Sequence, residues 1–413
     1  MKNGWTGGQY SLYRAIFGAY LFFHFLGLLP WSRELFSSQG VLPAAADSPL
    51  VHVFPNILAV LDAPPFAVFL VALAAALSIV FAIGFYDRVA AVGLWYLGAC
   101  FLGRNPLIAN PALPYIGWLL LAHAFLLPAP YGSWAARGRA DPRGGWTMSR
   151  SIYLSAWILM ALGYTYSGFL KLNSPSWFDG TALARVLENP LARPGFLRIW
   201  LLSFPPVILR AATWSALGLE LVFAPLVLFR RVRPWIWCAM VLLHLGLFAL
   251  ISFPDLTAGM IILHLFTFNP AWVPVVAAGG TEELFYDGHC GLCQHAVRFI
   301  LAEDTTGTSF RFAPLQGETF LARVAAERRA GLPDSVVVLT RDGELLVRSA
   351  AFLHIFRRLG GGWRALAAVL SVIPRGMRDF VYDFVARIRY RVFGKREDLC
   401  PIVPAELRAR FDP

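Results

Sequence analysis

The sequence predicts a polytopic α-helical membrane bundle of about eight spans, followed by a small α/β domain at the C-terminal end. Of the 413 residues, 57% are hydrophobic and only 15% are charged, whereas a soluble domain is about 45–50% apolar. The apolar residues lie in long runs up to Pro274, and charged residues become frequent after it. A purely soluble protein is therefore disfavoured.

Eight apolar runs are the candidates for membrane-spanning helices. They cover residues 12–29, 66–86, 88–102, 115–127, 151–170, 207–229, 235–252 and 256–273. A crossing needs about 20 residues, so the third and fourth runs are short and leave open a re-entrant or interfacial arrangement. Together the runs predict a membrane domain over residues 8–275.

Basic residues in two loops predict the orientation of the spans, because cytoplasmic loops carry an excess of Lys and Arg. These loops join spans four to five and six to seven. Their arginines are Arg137, Arg139, Arg143 and Arg150 in the first loop, and Arg230, Arg231 and Arg233 in the second. With eight crossings, the N-terminus and the C-terminal domain fall on the cytoplasmic side of a bacterial-type inner membrane. The net charge of +11 then reflects loops that face anionic lipid. Membrane lipid is an expected partner, and nucleic acid is not.

The C-terminal region, residues 281–413, carries the pattern of a small α/β domain. Strand-like segments at residues 284–286, 309–313, 335–340 and 345–348 alternate with helical segments at 293–302 and 319–330. Strands that alternate with helices of about 10–15 residues are typical of a small α/β layer. The domain boundary is expected near residues 277–281.

A dithiol motif, DGHCGLC, follows the first of these strands at residues 287–293. The strand, turn and helix put Cys290 at a helix N-terminus, where the macrodipole and free amide groups stabilise a thiolate. We therefore predict Cys290 as the nucleophile and Cys293, one helical turn on, as the resolving thiol. The alternative is half of a zinc site, which normally needs two further ligands, with Cys400, His289 and His295 as candidates.

The segment FYDGHCGLC at residues 285–293 resembles the signature of the DCC family of predicted thiol-disulfide oxidoreductases, a thioredoxin-like group. The resemblance extends to the C-terminus and includes a basic helix at residues 382–394 and Cys400. It implies a thioredoxin-like fold and a cytosolic thiol or disulfide partner. Asp287 of the motif either tunes Cys290 or assists proton transfer, or it caps the turn. Cys400 is either a third redox thiol or an inert cysteine.

A second motif surrounds Lys171, at the end of the fifth apolar run. A lysine in this position, framed by Tyr164 and Tyr166, is expected to extend its ammonium group to the membrane interface. Polar side chains within the runs, among them Glu220 and His244, are expected to face the bundle interior because they are costly in hydrocarbon. The intramembrane histidines are too few to predict a metal site.

The segment SGFLKLN at residues 167–173, followed by Trp177 and Gly180, resembles the HTTM domain, a membrane region related to vitamin K-dependent gamma-carboxylase. The resemblance covers about residues 8–273. In the carboxylase the matching lysine is the base that deprotonates a reduced quinone. The resemblance therefore gives Lys171 this role and suggests a vitamin K-like quinone as cofactor, with His244, Glu220 and Trp177 as binding residues. The chain continues directly into the dithiol domain, without the carboxylase's large lumenal domain, which argues against carboxylation of a peptide.

Together these features predict a membrane-bound thiol-disulfide oxidoreductase that uses Cys290 and Cys293, joined to a bundle that binds a quinone or a lipid-like ligand. Two alternatives stay open. One is a carboxylase-like membrane enzyme with Lys171 as general base. The other is a non-enzymatic membrane binding or transport protein, in which the cysteine pair is structural or binds metal.

Overall fold

The computed structural model describes residues 3–274, 280–333, 335–395 and 403–413. The chain divides into two compact units. We call them the helical unit, formed by Tyr13–Leu126 and Ser149–Phe268, and the sheet unit, formed by Met1–Leu12, Leu127–Met148 and Asn269–Pro413. The sheet unit thus includes two segments that precede the predicted C-terminal domain in the sequence.

A helix occurs at each of the eight apolar runs. In chain order these helices are α1 (Gly7–Leu28), α2 (Pro64–Ile83), α3 (Asp87–Arg104), α4 (Leu113–Phe125), α5 (Arg150–Leu172), α6 (Pro206–Leu221), α7 (Arg233–Leu250) and α8 (Pro254–Thr267). Shorter helices lie between them at Ser32–Phe36, Pro175–Phe178, Ala182–Glu188, Phe196–Leu202 and Phe223–Val227. The N-terminal region is therefore mostly helical, as predicted.

Length and apolarity divide these helices. Within the described residues, three helices are long and apolar enough to cross a membrane: α1 with its continuation to Phe36, α2 and α7. A fourth is α6 together with Phe196–Leu202, if this pair, bent by 108°, forms one span. Helices α4 and α8 have 13 and 14 residues, fewer than the about 20 that a crossing needs. The count of eight crossings therefore stays a prediction.

Charged side chains inside the helical unit are buried in contact with one another. Arg14 of α1 lies 3.6 Å from the carboxylate of Asp87 on α3, and His123 of α4 lies 3.3 Å from the same carboxylate. At the other end of α3, the buried guanidinium of Arg104 lies 3.3 Å from Asp62. Because an unpaired buried charge is strongly unfavourable, these contacts favour one arrangement of α1, α3 and α4.

The sheet unit contains a four-stranded mixed sheet with the strand order β2-β1-β3-β4. Its strands are β1 (Glu282–Tyr286), β2 (Phe310–Pro314), β3 (Val337–Leu339) and β4 (Leu345–Val347). Strand β1 pairs parallel with β2 and antiparallel with β3, and β3 pairs antiparallel with β4. Its helices are α9 (Gly291–Glu303), α10 (Glu318–Arg323), α11 (Ala326–Ala330), α12 (Arg348–Leu359), α13 (Gly361–Ser371), α14 (Arg375–Phe393) and α15 (Ala405–Arg408). The predicted small α/β domain is confirmed.

Alternate strand residues face opposite sides of the sheet and form two cores. Leu284 and Phe312 pack in a core that includes buried residues of α9 and α12, whereas Phe285 packs with Phe320 of α10 on the other side. The single helix predicted over residues 319–330 is wrong. It is interrupted at Val324, whose extended backbone (φ −118°, ψ 116°) places a buried side chain in the second core.

Two segments from earlier in the chain complete the sheet unit. The buried carboxylate of Glu303, at the end of α9, accepts the backbone N–H of Gly8 at 2.9 Å and the indole N–H of Trp363 at 2.7 Å. In the segment Leu127–Met148, the Tyr131 hydroxyl donates to the carbonyl of His295 at 3.3 Å. Both the N-terminal segment and this loop therefore fold together with the C-terminal region.

Candidate redox site

The dithiol lies where β1 ends and α9 begins. Cys290 is the N-cap of α9, with extended backbone (φ −94°, ψ 116°), and its Sγ accepts the backbone N–H of Cys293 at 3.4 Å. This amide is one of those that a helix N-terminus leaves without a helical partner. The thiols are not bridged, and both are buried, with 0% of Cys290 and 9% of Cys293 exposed. The strand, turn and helix predicted around the motif are all present.

The two thiols differ in acidity. The pKa of Cys290 is lowered to about 6, chiefly because the Cys293 thiol donates a hydrogen bond to its sulfur. The Cys293 backbone N–H and the Arg389 guanidinium lower it further, while burial and the Asp287 carboxylate act in the opposite direction. The pKa of Cys293 is raised, first by the same hydrogen bond and then by burial. Cys290 is therefore mostly thiolate at pH 7 and Cys293 a neutral thiol.

Asp287 is buried beside the thiols and is the centre of a polar cluster. Its carboxylate accepts the backbone N–H of His289 at 3.0 Å, the amide of Gln316 at 3.1 Å and the hydroxyl of Tyr390, and it lies 3.5 Å from the Arg389 guanidinium. Burial acts to raise the pKa of Asp287, but these hydrogen bonds and the arginine outweigh it and lower the pKa. The bond to His289 is the predicted cap of the turn, and a role in proton transfer stays a prediction.

Arg389 and Tyr390 were not predicted as site residues. Both lie near the end of α14, about a hundred positions from Asp287 in the sequence. Arg389 is only 5% exposed, and its Nη2 also donates to the Tyr390 hydroxyl at 3.1 Å. The sequence showed only a basic helix at residues 382–394, and a basic helix gives no sign of which arginine turns inward. A buried arginine beside a carboxylate and a thiolate supplies the positive charge that both anions need.

The end of α14 packs directly over the dithiol turn. The backbone N–H of Gly291 donates to the carbonyl of Gly394 at 3.2 Å, and Cys290 forms a short antiparallel bridge with Lys395. A Cβ atom on Gly291 would lie 2.4 Å from the carbonyl oxygen of Phe393. Glycine between the cysteines is therefore required by this close approach, which also buries the Cys290 sulfur.

The zinc alternative depends on a third ligand. Within the described parts of the chain, no group of three or more His, Cys, Asp or Glu side chains is arranged to hold a metal ion. Cys400, predicted either as that ligand, as a third redox thiol or as an inert cysteine, lies outside the described residues.

Three of the site residues predicted in the membrane region lie together in the helical unit. Lys171, in the last turn of α5, pairs through its Nζ with the carboxylate of Glu220 on α6. The same Nζ lies 4.6 Å from the ring centroid of Trp177. The side chain of Lys171 is 24% exposed and that of Glu220 only 9%. The lysine is thus held by a carboxylate and an aromatic face rather than extended freely.

His244, the fourth predicted residue, belongs to a second buried cluster. The Tyr164 hydroxyl lies 2.6 Å from His244 Nε2 and 2.7 Å from His264 Nε2. Tyr164 is on α5, seven residues before Lys171 and therefore on the same face of the helix. The contact of Tyr164 with both histidines was not predicted, because side chains from three separate helices meet here.

Comparison with known proteins concerns the C-terminal region. Residues 284–395 match the family of DCC1-like thiol-disulfide oxidoreductases. The uncharacterized protein YuxK of Bacillus subtilis (strain 168) is 37% identical over 134 residues, which are 32% of this chain and 93% of YuxK. A chloroplastic DCC family protein of Arabidopsis thaliana is 34% identical over 135 residues, which are 32% of this chain and 77% of that protein. No solved structure matches the chain. The family match includes the turn with Cys290 and Cys293. These matches show that the chain belongs to the DCC family of thiol-disulfide oxidoreductases through its C-terminal region.

Proposed function

We propose that this protein is a membrane-bound thiol-disulfide oxidoreductase whose chemistry is carried out by Cys290 and Cys293. The observation that carries the proposal is the asymmetry of the pair: a sulfur with a pKa of about 6 at the start of α9, and a protonated thiol that donates a hydrogen bond to it. The mixed sheet, with its dithiol at a strand-to-helix turn, supports a thioredoxin-like fold for this domain.

The reaction transfers two electrons between the dithiol and a partner disulfide. The Cys290 thiolate attacks one partner sulfur, which forms a mixed disulfide and releases the other partner sulfur as a thiolate. Cys293 then gives up its proton to the released thiolate and attacks the Cys290 sulfur, which frees the second partner sulfur. The partner disulfide ends as one thiol and one thiolate, which takes its proton from water, and Cys290 and Cys293 end as a disulfide. The reverse sequence oxidises a dithiol partner.

Access to Cys290 is controlled by the end of α14, because the sulfur has no exposed surface. A partner reaches it only when the segment around Gly394 and Lys395 moves aside. We therefore expect alkylation of Cys290 to be slower than its thiolate fraction alone would give.

The experiment that tests the reaction uses full-length protein in detergent, with Cys100, Cys238 and Cys400 replaced by serine. In this background, Cys293→Ser treated with oxidised glutathione should accumulate one glutathione per chain on Cys290, measured by mass spectrometry. The matched variant Cys290→Ser should react at least tenfold more slowly at pH 7, because burial still raises the pKa of the remaining thiol. Equal adduct formation by the two variants would contradict the assignment of roles.

We also propose that the sheet unit lies on the cytoplasmic side of a bacterial inner membrane. The segment Leu127–Met148, which holds several of the loop arginines, folds within the sheet unit, and Arg143 donates to the carbonyl of Leu301 at 3.5 Å. Because this loop and the C-terminal region belong to the same unit, they should lie on the same side of the membrane. The positive-inside rule identifies that side as the cytoplasmic one. In a cysteine-free background, an impermeant maleimide should label Ala135→Cys only from the cytoplasm and Leu191→Cys only from outside. Labelling of both from one side would refute the topology.

The predicted role of Lys171 in a quinone or lipid-like site stays a proposal that rests on the resemblance to the HTTM domain. The pairing of Lys171 with Glu220 means that the lysine can act as a base only after its proton moves away, for example to the carboxylate. Stoichiometric binding of a menaquinone analogue that is lost in Trp177→Ala would support the site, and unchanged binding would remove it.

A further inference from the structure

A half-open cavity of about 370 Å³ lies in the helical unit, between α1, α3 and α4. Its wall is almost wholly apolar. The side chains that form it include Leu21, Phe25, Leu94, Leu102, Ile116 and Leu120. None of the four residues predicted for a quinone site borders it: Lys171, Trp177, Glu220 and His244 are all absent from its wall. This space is therefore a different feature of the bundle, and its volume falls in the range of ligand sites, about 300–1,000 Å³.

One end of the cavity is polar. His24 and Tyr20, on neighbouring turns of α1, both border the space and both contact Asp255 at the start of α8. The Asp255 carboxylate lies 2.7 Å from His24 Nδ1, accepts the Tyr20 hydroxyl at 3.1 Å and accepts the amide of Asn110 at 2.8 Å. Hydrogen bonds from Tyr20 and Asn110 thus hold the Asp255 carboxylate in position, and the carboxylate orients the imidazole of His24.

This geometry determines what the imidazole can bind. Because Nδ1 of His24 faces the Asp255 carboxylate, Nε2 is the ring nitrogen that is left for a ligand. A hydroxyl group can both donate and accept a hydrogen bond, so it suits a single polar nitrogen at the edge of an apolar cavity. A charged ligand would lie against apolar side chains, and no Asp, Glu, Lys or Arg among the described residues of the cavity wall would pair with its charge. Such burial of an unpaired charge is strongly unfavourable.

We propose that this cavity binds a neutral, lipid-soluble molecule with one hydroxyl group, an alcohol or a phenol, whose hydroxyl forms a hydrogen bond with His24 Nε2. The apolar body of the ligand lies between α1, α3 and α4. A cavity of about 150 Å³ holds one benzene ring, so the present volume corresponds to roughly 15 non-hydrogen atoms. The binding site belongs to the helical unit and does not depend on the dithiol.

Two glycines on the cavity wall allow it to be filled without disturbing the backbone. A Cβ atom on Gly98 of α3 would meet no other atom within 4 Å, and one on Gly117 of α4 would lie 3.5 Å from Trp95, an ordinary contact. Gly246 on α7 is equally open but does not border the cavity. We call Gly98→Leu and Gly117→Val the plug variants, because their side chains would fill the cavity. Gly246→Leu is the matched control, because its side chain lies outside the cavity.

The test uses the full chain in nanodiscs of phosphatidylethanolamine and phosphatidylglycerol. The probe is dodecanol with a photoreactive diazirine at the far end, compared with the same chain without the hydroxyl group. We expect cross-links on peptides of α1, α3 and α4, at least a tenfold loss of labelling in Gly98→Leu, and less than a twofold change in Gly246→Leu. Equal labelling of plug and control would overturn the proposal. If Gly98→Leu fails to fold, judged by thermal unfolding, Gly117→Val decides the same question.

The role of the hydroxyl group is tested with His24→Phe. One neutral hydrogen bond corresponds to a roughly threefold to tenfold preference for the alcohol over the hydrocarbon, and this preference should disappear in His24→Phe. Equal labelling by the two probes in the unmodified chain would contradict hydroxyl recognition. Labelling of Cys290→Ser should match the unmodified chain, so this test fails or succeeds independently of the thiol reaction.

Discussion

Replacing Cys293 by alanine removes the thiol whose hydrogen bond contributes most to the low pKa of Cys290. A hydrogen bond to a charged group contributes about 1.5–3 kcal/mol, and 1.36 kcal/mol corresponds to about one pKa unit. The pKa of Cys290 should therefore rise from about 6 to roughly 7–8 in Cys293→Ala. Cys293→Ser keeps an O–H donor in the same place, so Cys290 in that variant should remain acidic.

The assay is the pH profile of Cys290 alkylation by iodoacetamide, followed by mass spectrometry in the background without the other cysteines. The midpoint of the profile is the quantity to compare, because a thiolate of higher pKa is intrinsically more nucleophilic and partly compensates the rate at a single pH. Equal midpoints for the alanine and serine variants would refute the hydrogen bond as the cause. A midpoint above pH 8 in the unmodified protein would refute the low pKa itself.

Three further predictions concern other contacts. Gly291→Ala places a Cβ atom 2.4 Å from the Phe393 carbonyl, so thermal unfolding should show a loss of about 1–3 kcal/mol, whereas an unhindered helical Gly→Ala change would be stabilising. Burial raises the pKa of Glu303, so the contribution of Glu303 to stability is greatest at acid pH and falls as pH rises through that pKa. Glu303→Ala leaves the donors to this carboxyl group unpaired, so it should lower the free energy of unfolding by about 1–3 kcal/mol and remove this pH dependence. An unchanged dependence of stability on pH would contradict the role of Glu303. Lys171→Met leaves the Glu220 carboxylate unpaired and should lower the free energy of unfolding by about 1–3 kcal/mol. The loss is smaller than for a fully buried pair because the lysine is partly exposed. The double variant Lys171→Met/Glu220→Leu should recover part of this loss in thermal unfolding, and no recovery would show that the pair is not the cause.

The sequence predicted those features that depend on neighbours in the chain. The dithiol turn could be placed because strand, turn and helix follow one another within residues 284–302, and the sheet strands were recognisable from short apolar segments. The break at Val324 was missed because it depends on a core position offered by Phe285 and Phe320, which no local pattern reveals.

Features that depend on contacts between distant parts of the chain were not predicted. Arg389 and Tyr390 join Asp287 only after α14 packs over the dithiol turn, and the sequence cannot tell an inward arginine from the exposed ones on the same helix. The pairing of Lys171 with Glu220 likewise depends on how α5 meets α6. The number of spans stayed open for another reason: helices α4 and α8 are apolar but shorter than a crossing requires.

The most direct test of the central claim is a redox titration of the full-length protein against glutathione buffers, with Cys100, Cys238 and Cys400 replaced by serine. We expect a single two-electron transition of Cys290 and Cys293, lost in both Cys290→Ser and Cys293→Ser. Two independent thiols without a transition, or a metal ion bound by the pair, would contradict the oxidoreductase function and favour a structural role for the cysteines.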